Sequence, residues 1–225
     1  MTLARPRETT WLWIAAATAA ALLLAAASLG ARGAGRGGTD LVLFSTGRLA
    51  FLLFLPAYAG GAMATLFGAA FQPVRRRGRV LGLAFAAVLV VHLTFVAWLC
   101  VIGAPPALAT FVQFGIAVGF IVPITLLSIG RLQGVLGPRA GWLLRAVGLN
   151  YVAYVFAADF LNHPLHGGIV HVATYLPFAV LSLLGPAIWV AGQMARLIRG
   201  PAADAGAGYS RPYVSSRRTI SSSPR

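Results

Sequence analysis

Residues 75–102 read RRRGRVLGLAFAAVLVVHLTFVAWLCVI: four arginines in five positions, then about twenty apolar side chains interrupted by His92. An apolar run of this length spans the hydrocarbon core of a bilayer as a helix, and clustered arginines mark its cytoplasmic end. An imidazole at membrane depth is costly and marks a functional candidate.

Working outward, the composition agrees with this stretch. Of the 225 residues, 59% are hydrophobic and only 10% charged, against about 25% charged in soluble domains. The net charge of +14 does not point to nucleic acid. Every basic residue is an arginine, nearly all stand at the ends of apolar runs, and no basic stripe alternates with stacking aromatics. The single cysteine, Cys100, excludes an intrachain disulfide or a cysteine-ligated cluster. Among Trp98, Leu99 and Val101 it reads as a buried or lipid-facing thiol.

The fold class expected is an all-α integral membrane protein, a bundle of six transmembrane helices with both termini cytoplasmic. Residues 1–10 form a short cytoplasmic N-terminus, 11–199 the membrane domain, and 200–225 a disordered basic cytoplasmic tail. The spans fall at about 11–29, 41–59 (apolar character continues to 71), 80–102, 107–129, 142–161 and 169–198. The first of these, after Arg5 and Arg7, shares its layout with a cleaved signal peptide, but is long for a signal core. Glycine-rich 30–40 and Gly103–Pro106 are loops. Pro123, Pro177 and Pro186 are expected to kink their helices. Orientation follows from the arginines: with six spans, fifteen lie on one side and only Arg32 and Arg36 on the other, so the arginine-rich side is cytoplasmic.

His163 ends the fifth span, which runs in the same direction as the third. Both His92 and His163 then sit toward the outer face at similar depth. Two imidazoles projecting from neighbouring helices are the ligand set of a six-coordinate haem iron. The plainer reading has His92 hydrogen-bonded to an adjacent helix. His163, His166 and His171 fall within nine residues, but the spacing fits no common zinc pattern.

These residues resemble the ferric reductase-like transmembrane domain shared by ferric reductases, NADPH oxidases and the haem-binding subunit of a bacterial methionine sulfoxide reductase. In that family the third helix follows a basic cluster, with a histidine ten residues after a Leu-Gly-Leu glycine; here these are Gly82 and His92. The fifth helix of the family carries two histidines thirteen apart with an aromatic four after the first, matched by Asn150, Tyr154 and His163. The inner ligand positions of two-haem members fall on Gly78 and Asn150, so histidine is missing from the inner pair and kept in the outer pair. Over about residues 40–198, the resemblance implies a divergent member with one haem b near the outer face, its iron held by His92 and His163.

Arg48, in a Gly-Arg-Leu-Ala sequence that also resembles the family, suits a haem propionate through its planar donor fork. Asp159, four residues before His163 and on the same helix face, is a candidate for an ion pair with Arg48 or for a proton relay. The implied role is a membrane electron-transfer subunit, with no G-x-G-x-x-G following a strand to bind a nucleotide. Electrons would come from a quinol, with a quinone as a second cofactor, or from a partner flavoprotein, and pass to an outer-face redox partner. The alternatives are a haem-free membrane anchor or assembly partner of the same fold and, with less support, a small-solute transporter.

Overall fold

A computed structural model describes residues 6–129, 137–162, 165 and 168–199. Within them the chain is entirely helical: α1 (Pro6–Arg32), α2 (Arg36–Phe67), α3 (Gln72–Val101), α4 (Leu108–Ile129), α5 (Gly137–Phe160) and α6 (Ile169–Arg199), with one 3-10 turn, Gly68–Phe71, between α2 and α3. Five segments are long and apolar enough to cross a membrane, α2 and α3 together forming one of 66 residues, Arg36–Val101. Large apolar side chains point outward at mid-helix, Leu23 70%, Val90 65% and Leu183 54% exposed. Water would penalise such a surface and a bilayer accepts it.

Side-chain contacts set the direction of each helix. Gly60 packs on Val74, Gly78 on Ala57 and Gly47 on His92, so α2 and α3 form an antiparallel hairpin around the 68–71 turn. Arg77 lies over the Trp13 ring at one end of α1, and Trp98 donates to the Ala34 carbonyl just past the other; α1 is therefore parallel to α3. Gly148 of α5 abuts Phe120 and Ile124, while Tyr151 donates to the Gln113 carbonyl, which makes α4 and α5 antiparallel. Contacts between α2 and α6 keep a nearly constant offset: Phe51 with Phe178, Tyr58 with Trp189 and Gly192 with Ala62. These two helices run side by side in the same direction. Direction thus alternates along the chain, and the start of α1 and the end of α6 lie beside the α2–α3 turn.

The centre is aromatic. Phe51 and Phe54 of α2, 1% and 2% exposed, meet Phe156 and Phe160 of α5, Phe178 of α6 and Phe85 of α3 at centroid distances of 5.0–6.0 Å. Such pairs add about 0.5–1.5 kcal/mol each beyond area burial, welcome in a bilayer, where apolar burial against lipid contributes little. Close backbone approach supplies the rest: a Cβ on Gly192 would come within 2.5 Å of the Ala62 Cβ, so α6 touches α2 where only glycine fits.

The helices outrun the apolar runs that announce them. α2 begins at Arg36, inside the glycine-rich stretch expected as a loop, and runs through Gly60 and Gly61 to Phe67 as the apolar continuation to 71 allowed; α3 begins at Gln72 rather than 80, carrying all four arginines on its first turns. Pro73 suits a helix start, and arginine stems can lie along the helix with their heads in water. At the other end of α3 the chain stops as expected: Gly103, at φ +74°, donates to Cys100 O and Ala104 to Leu99 O, closing a Schellman cap before Pro105-Pro106. The expected tail 200–225 and the 131–136 portion of the basic loop lie outside the described residues.

Candidate functional site

On α2, three consecutive residues divide the candidate site. Thr46 faces α3, Gly47 lies against the His92 ring, and Arg48 faces α6 and the end of α5. Thr46 is fully buried, and its hydroxyl donates to the Val42 carbonyl at 2.7 Å. His92 Nδ1 is 2.9 Å from the same oxygen. With the hydroxyl proton given to Val42, the Thr46 oxygen accepts from an Nδ1–H tautomer of His92, and in that tautomer Nε2 keeps a lone pair with no hydrogen-bond partner among the described residues. A fixed Nδ1–H with a free Nε2 is the arrangement of a metal-ligating histidine with its orienting partner. It also satisfies the plainer expectation of a helix-to-helix hydrogen bond, since Thr46 belongs to α2.

His163 and His166 lie outside the described residues, so the His92–His163 pair is not among the contacts available. On the helices flanking that position, the Phe85 ring of α3 and the Phe156 ring of α5 meet at 6.3 Å, and α5 ends at Phe160. His171 stacks on Tyr175 at 4.3 Å. Among the described residues no group of three or more His, Cys, Asp or Glu side chains is disposed to hold a metal ion.

Arg48 does not form the expected ion pair with Asp159. Among the described residues the one ion pair within 4.0 Å is Arg36–Asp40. The guanidinium instead occupies an aromatic cage, 3.3 Å from the Phe44 centroid and 4.6–5.6 Å from Tyr175, Phe178 and Phe160. Its terminal nitrogens donate to the Phe44 and Thr174 carbonyls at 3.2 and 3.3 Å. Ring faces and carbonyl dipoles replace a carboxylate as the counter-charge. Nε is buried and has no acceptor among the described residues. A buried donor without a partner is costly, and a carboxylate brought to this cage would satisfy it.

These features fit a haem in two respects: an imidazole with its coordinating nitrogen free, and a guanidinium with an unspent donor for a propionate. At the arginine-rich end, the two positions that the resemblance would assign to a second pair of ligands, Gly78 and Asn150, are occupied otherwise. The Asn150 Oδ1 accepts from the Tyr58 hydroxyl at 2.7 Å, and Gly78 lines a cavity with Tyr58 and Trp189. Neither residue offers a ligand for iron.

Thr46 and Tyr58 escaped the sequence reading. Thr46 was reachable from one signal: the hairpin turn centred near Ala69 places Thr46 and His92 equally far from it, 23 residues on either side. No family model, curated protein or solved structure matches the chain.

Proposed function

We propose that the chain crosses the membrane six times with both termini cytoplasmic, and that it is an electron-transfer subunit with one b-type haem between α3 and the outer end of α5. Six crossings follow from the α2–α3 hairpin. Its 66 residues would extend about 100 Å as one helix at 1.5 Å per residue, some three times the bilayer core, and the antiparallel packing turns them into two spans. The arginines of α3, Arg139 and Arg145 of α5, and Arg196 and Arg199 of α6 gather at the same end of the bundle, which supports a cytoplasmic assignment for that end.

The observation that carries the haem reading is the committed Thr46–His92 hydrogen bond, which leaves Nε2 free. His92 and His163 would hold the iron, and Arg48 would hold a propionate. When bound, the haem supplies reversible one-electron chemistry. Thr46 fixes the His92 ring and its tautomer, Arg48 adds fixed positive charge beside the outer end, and the phenylalanine core excludes water. The donor is a quinol in the lipid phase or a partner flavoprotein, and the acceptor is at the outer face.

A second reading, a haem-free membrane anchor of the same architecture, is favoured by the dense ring packing of Phe51, Phe54, Phe156 and Phe160. There His92 is simply a satisfied interhelical hydrogen-bond partner. The visible spectrum of the detergent-purified protein after haem loading decides between them. A Soret band that shifts on reduction and is lost in both His92→Ala and His163→Ala supports the haem protein; a spectrum indifferent to either substitution leaves the anchor.

A further inference from the structure

At the arginine-rich end, α2, α3 and α6 enclose a cavity of about 260 Å³. Its inner walls are Tyr58 and Trp189, whose ring planes are 10° from parallel. Its polar lining is Arg75 from α3 with Gln193 and Arg196 from α6. Hydrogen-bond donors here are largely unspent. Among the described residues, Arg75 and Gln193 make no side-chain hydrogen bond or ion pair, and the Trp189 indole N–H has no acceptor. Arg196 uses two nitrogens, on Thr65 Oγ1 and the Gly61 carbonyl, both at 3.3 Å, which holds the guanidinium at the cavity wall.

Of the two carboxylates whose side chains are described, Asp40 is paired with Arg36 and Asp159 lies on the last turn of α5, both at the opposite end. No carboxylate with a described side chain reaches the arginines of this end. Two guanidiniums, an amide and an indole around one cavity require a ligand rich in acceptors and negative in charge. Guanidinium forks match the tetrahedral oxygens of a phosphate. Basic pockets between helices on the cytoplasmic side are suited to anionic headgroups, and the aromatic walls to the glycerol and upper acyl carbons behind one.

We propose that this cavity binds a phosphate group, supplied by the headgroup of an anionic membrane lipid. The proposal does not depend on haem. Phosphate bears the recognition, and a soluble phosphate would use the same donors, so the experiment separates the two sources.

The full-length protein is purified in detergent, and bound lipid is measured by native mass spectrometry during titration with phosphatidylglycerol or phosphatidylcholine, with or without millimolar inorganic phosphate. Arg75→Gln is the main variant, because Arg75 is exposed and its loss breaks no hydrogen bond or ion pair among the described residues. Gln193→Ala is the second. Arg76→Gln, one residue away and outside the cavity, is the control for net charge. The expected result is preferential retention of one phosphatidylglycerol, with affinity reduced five- to tenfold in Arg75→Gln, about threefold in Gln193→Ala and less than twofold in Arg76→Gln. Retention unaffected by inorganic phosphate assigns the site to the lipid headgroup as proposed. Displacement by inorganic phosphate keeps the phosphate site but overturns the lipid assignment. Equal losses in Arg75→Gln and Arg76→Gln, or equal retention of the two lipids, overturn the site and leave diffuse attraction between a basic surface and anionic lipid.

Discussion

Replacing Thr46 by valine removes one oxygen while nearly preserving shape, and it separates the two roles of the Thr46–His92 contact. In the folded protein without ligand, the loss leaves the His92 Nδ1–H without its 2.9 Å acceptor at a position facing a fully buried residue. An unsatisfied buried donor in a soluble core costs about 1–3 kcal/mol. Interhelical hydrogen bonds in membrane proteins average about 0.6 and reach about 1.7 kcal/mol, since the unfolded helix also finds partners. The lower scale governs here, so destabilisation of about 1 kcal/mol is expected. Removing the orienting partner of a ligating histidine costs a further 10–100-fold in ligand affinity, about 1.4–2.8 kcal/mol. Haem titration followed at the Soret band gives the second quantity, and reversible unfolding in mixed micelles gives the first. Thr46→Ser, which keeps the acceptor, should recover most of both. A double-mutant cycle with His92→Phe should return a coupling of about 1 kcal/mol in the ligand-free protein. A Thr46→Val protein that binds haem with wild-type affinity would sink the ligand argument, and a cycle that sums to zero would remove the hydrogen bond as well.

Gly192→Ala places a methyl group 2.5 Å from the Ala62 Cβ, and overpacking at this contact should destabilise by about 1–3 kcal/mol, seen as a lower unfolding midpoint in detergent. Tyr58→Phe loses the 2.7 Å bond to Asn150 and should cost about 0.5–1.5 kcal/mol in the same assay, without altering any haem spectrum, because the contact lies at the inner end. Arg48→Lys keeps the charge but loses the planar face 3.3 Å from the Phe44 centroid. Haem retention should fall more than stability; equal loss in both would make the cage a packing device alone. In a Cys100→Ser background, Ala69→Cys should react with an impermeant maleimide only from the cytoplasmic side and Gly35→Cys only from the outside; labelling of both from one side would refute the hairpin crossing and the orientation together.

The sequence and the structure divide the account unevenly. An all-helical chain suited to a bilayer was legible from apolar run length alone, because backbone polar groups in hydrocarbon must be satisfied within the segment and helix is the local way to do so. The cap at Gly103 was legible too, since glycine ahead of two prolines stops a helix wherever it occurs. Helix ends elsewhere were not. Apolar runs report where lipid begins and ends, whereas α2 and α3 continue beyond those limits, as hydrogen bonding along a helix does not depend on side-chain polarity.

What a residue touches depends on which helix arrives beside it, and that is decided by tertiary packing. Arg48 and Asp159 looked like partners because each is a charge at similar depth; the guanidinium instead lies over Phe44 one turn back on its own helix, and the packing of α6 against α2 brought Tyr175 and Phe178 to it. The importance of His92 could be read from one imidazole in an apolar run. Its tautomer could not, because that follows from a threonine 46 residues away, whose own proton is already given to the helix carbonyl one turn back. Sequence alone therefore determined the solvent this chain folds in and the residues too costly to be there by chance. Only the three-dimensional arrangement decided which donors and acceptors are spent and which remain free, because hydrogen bonds between helices depend on distance in space and not on separation along the chain.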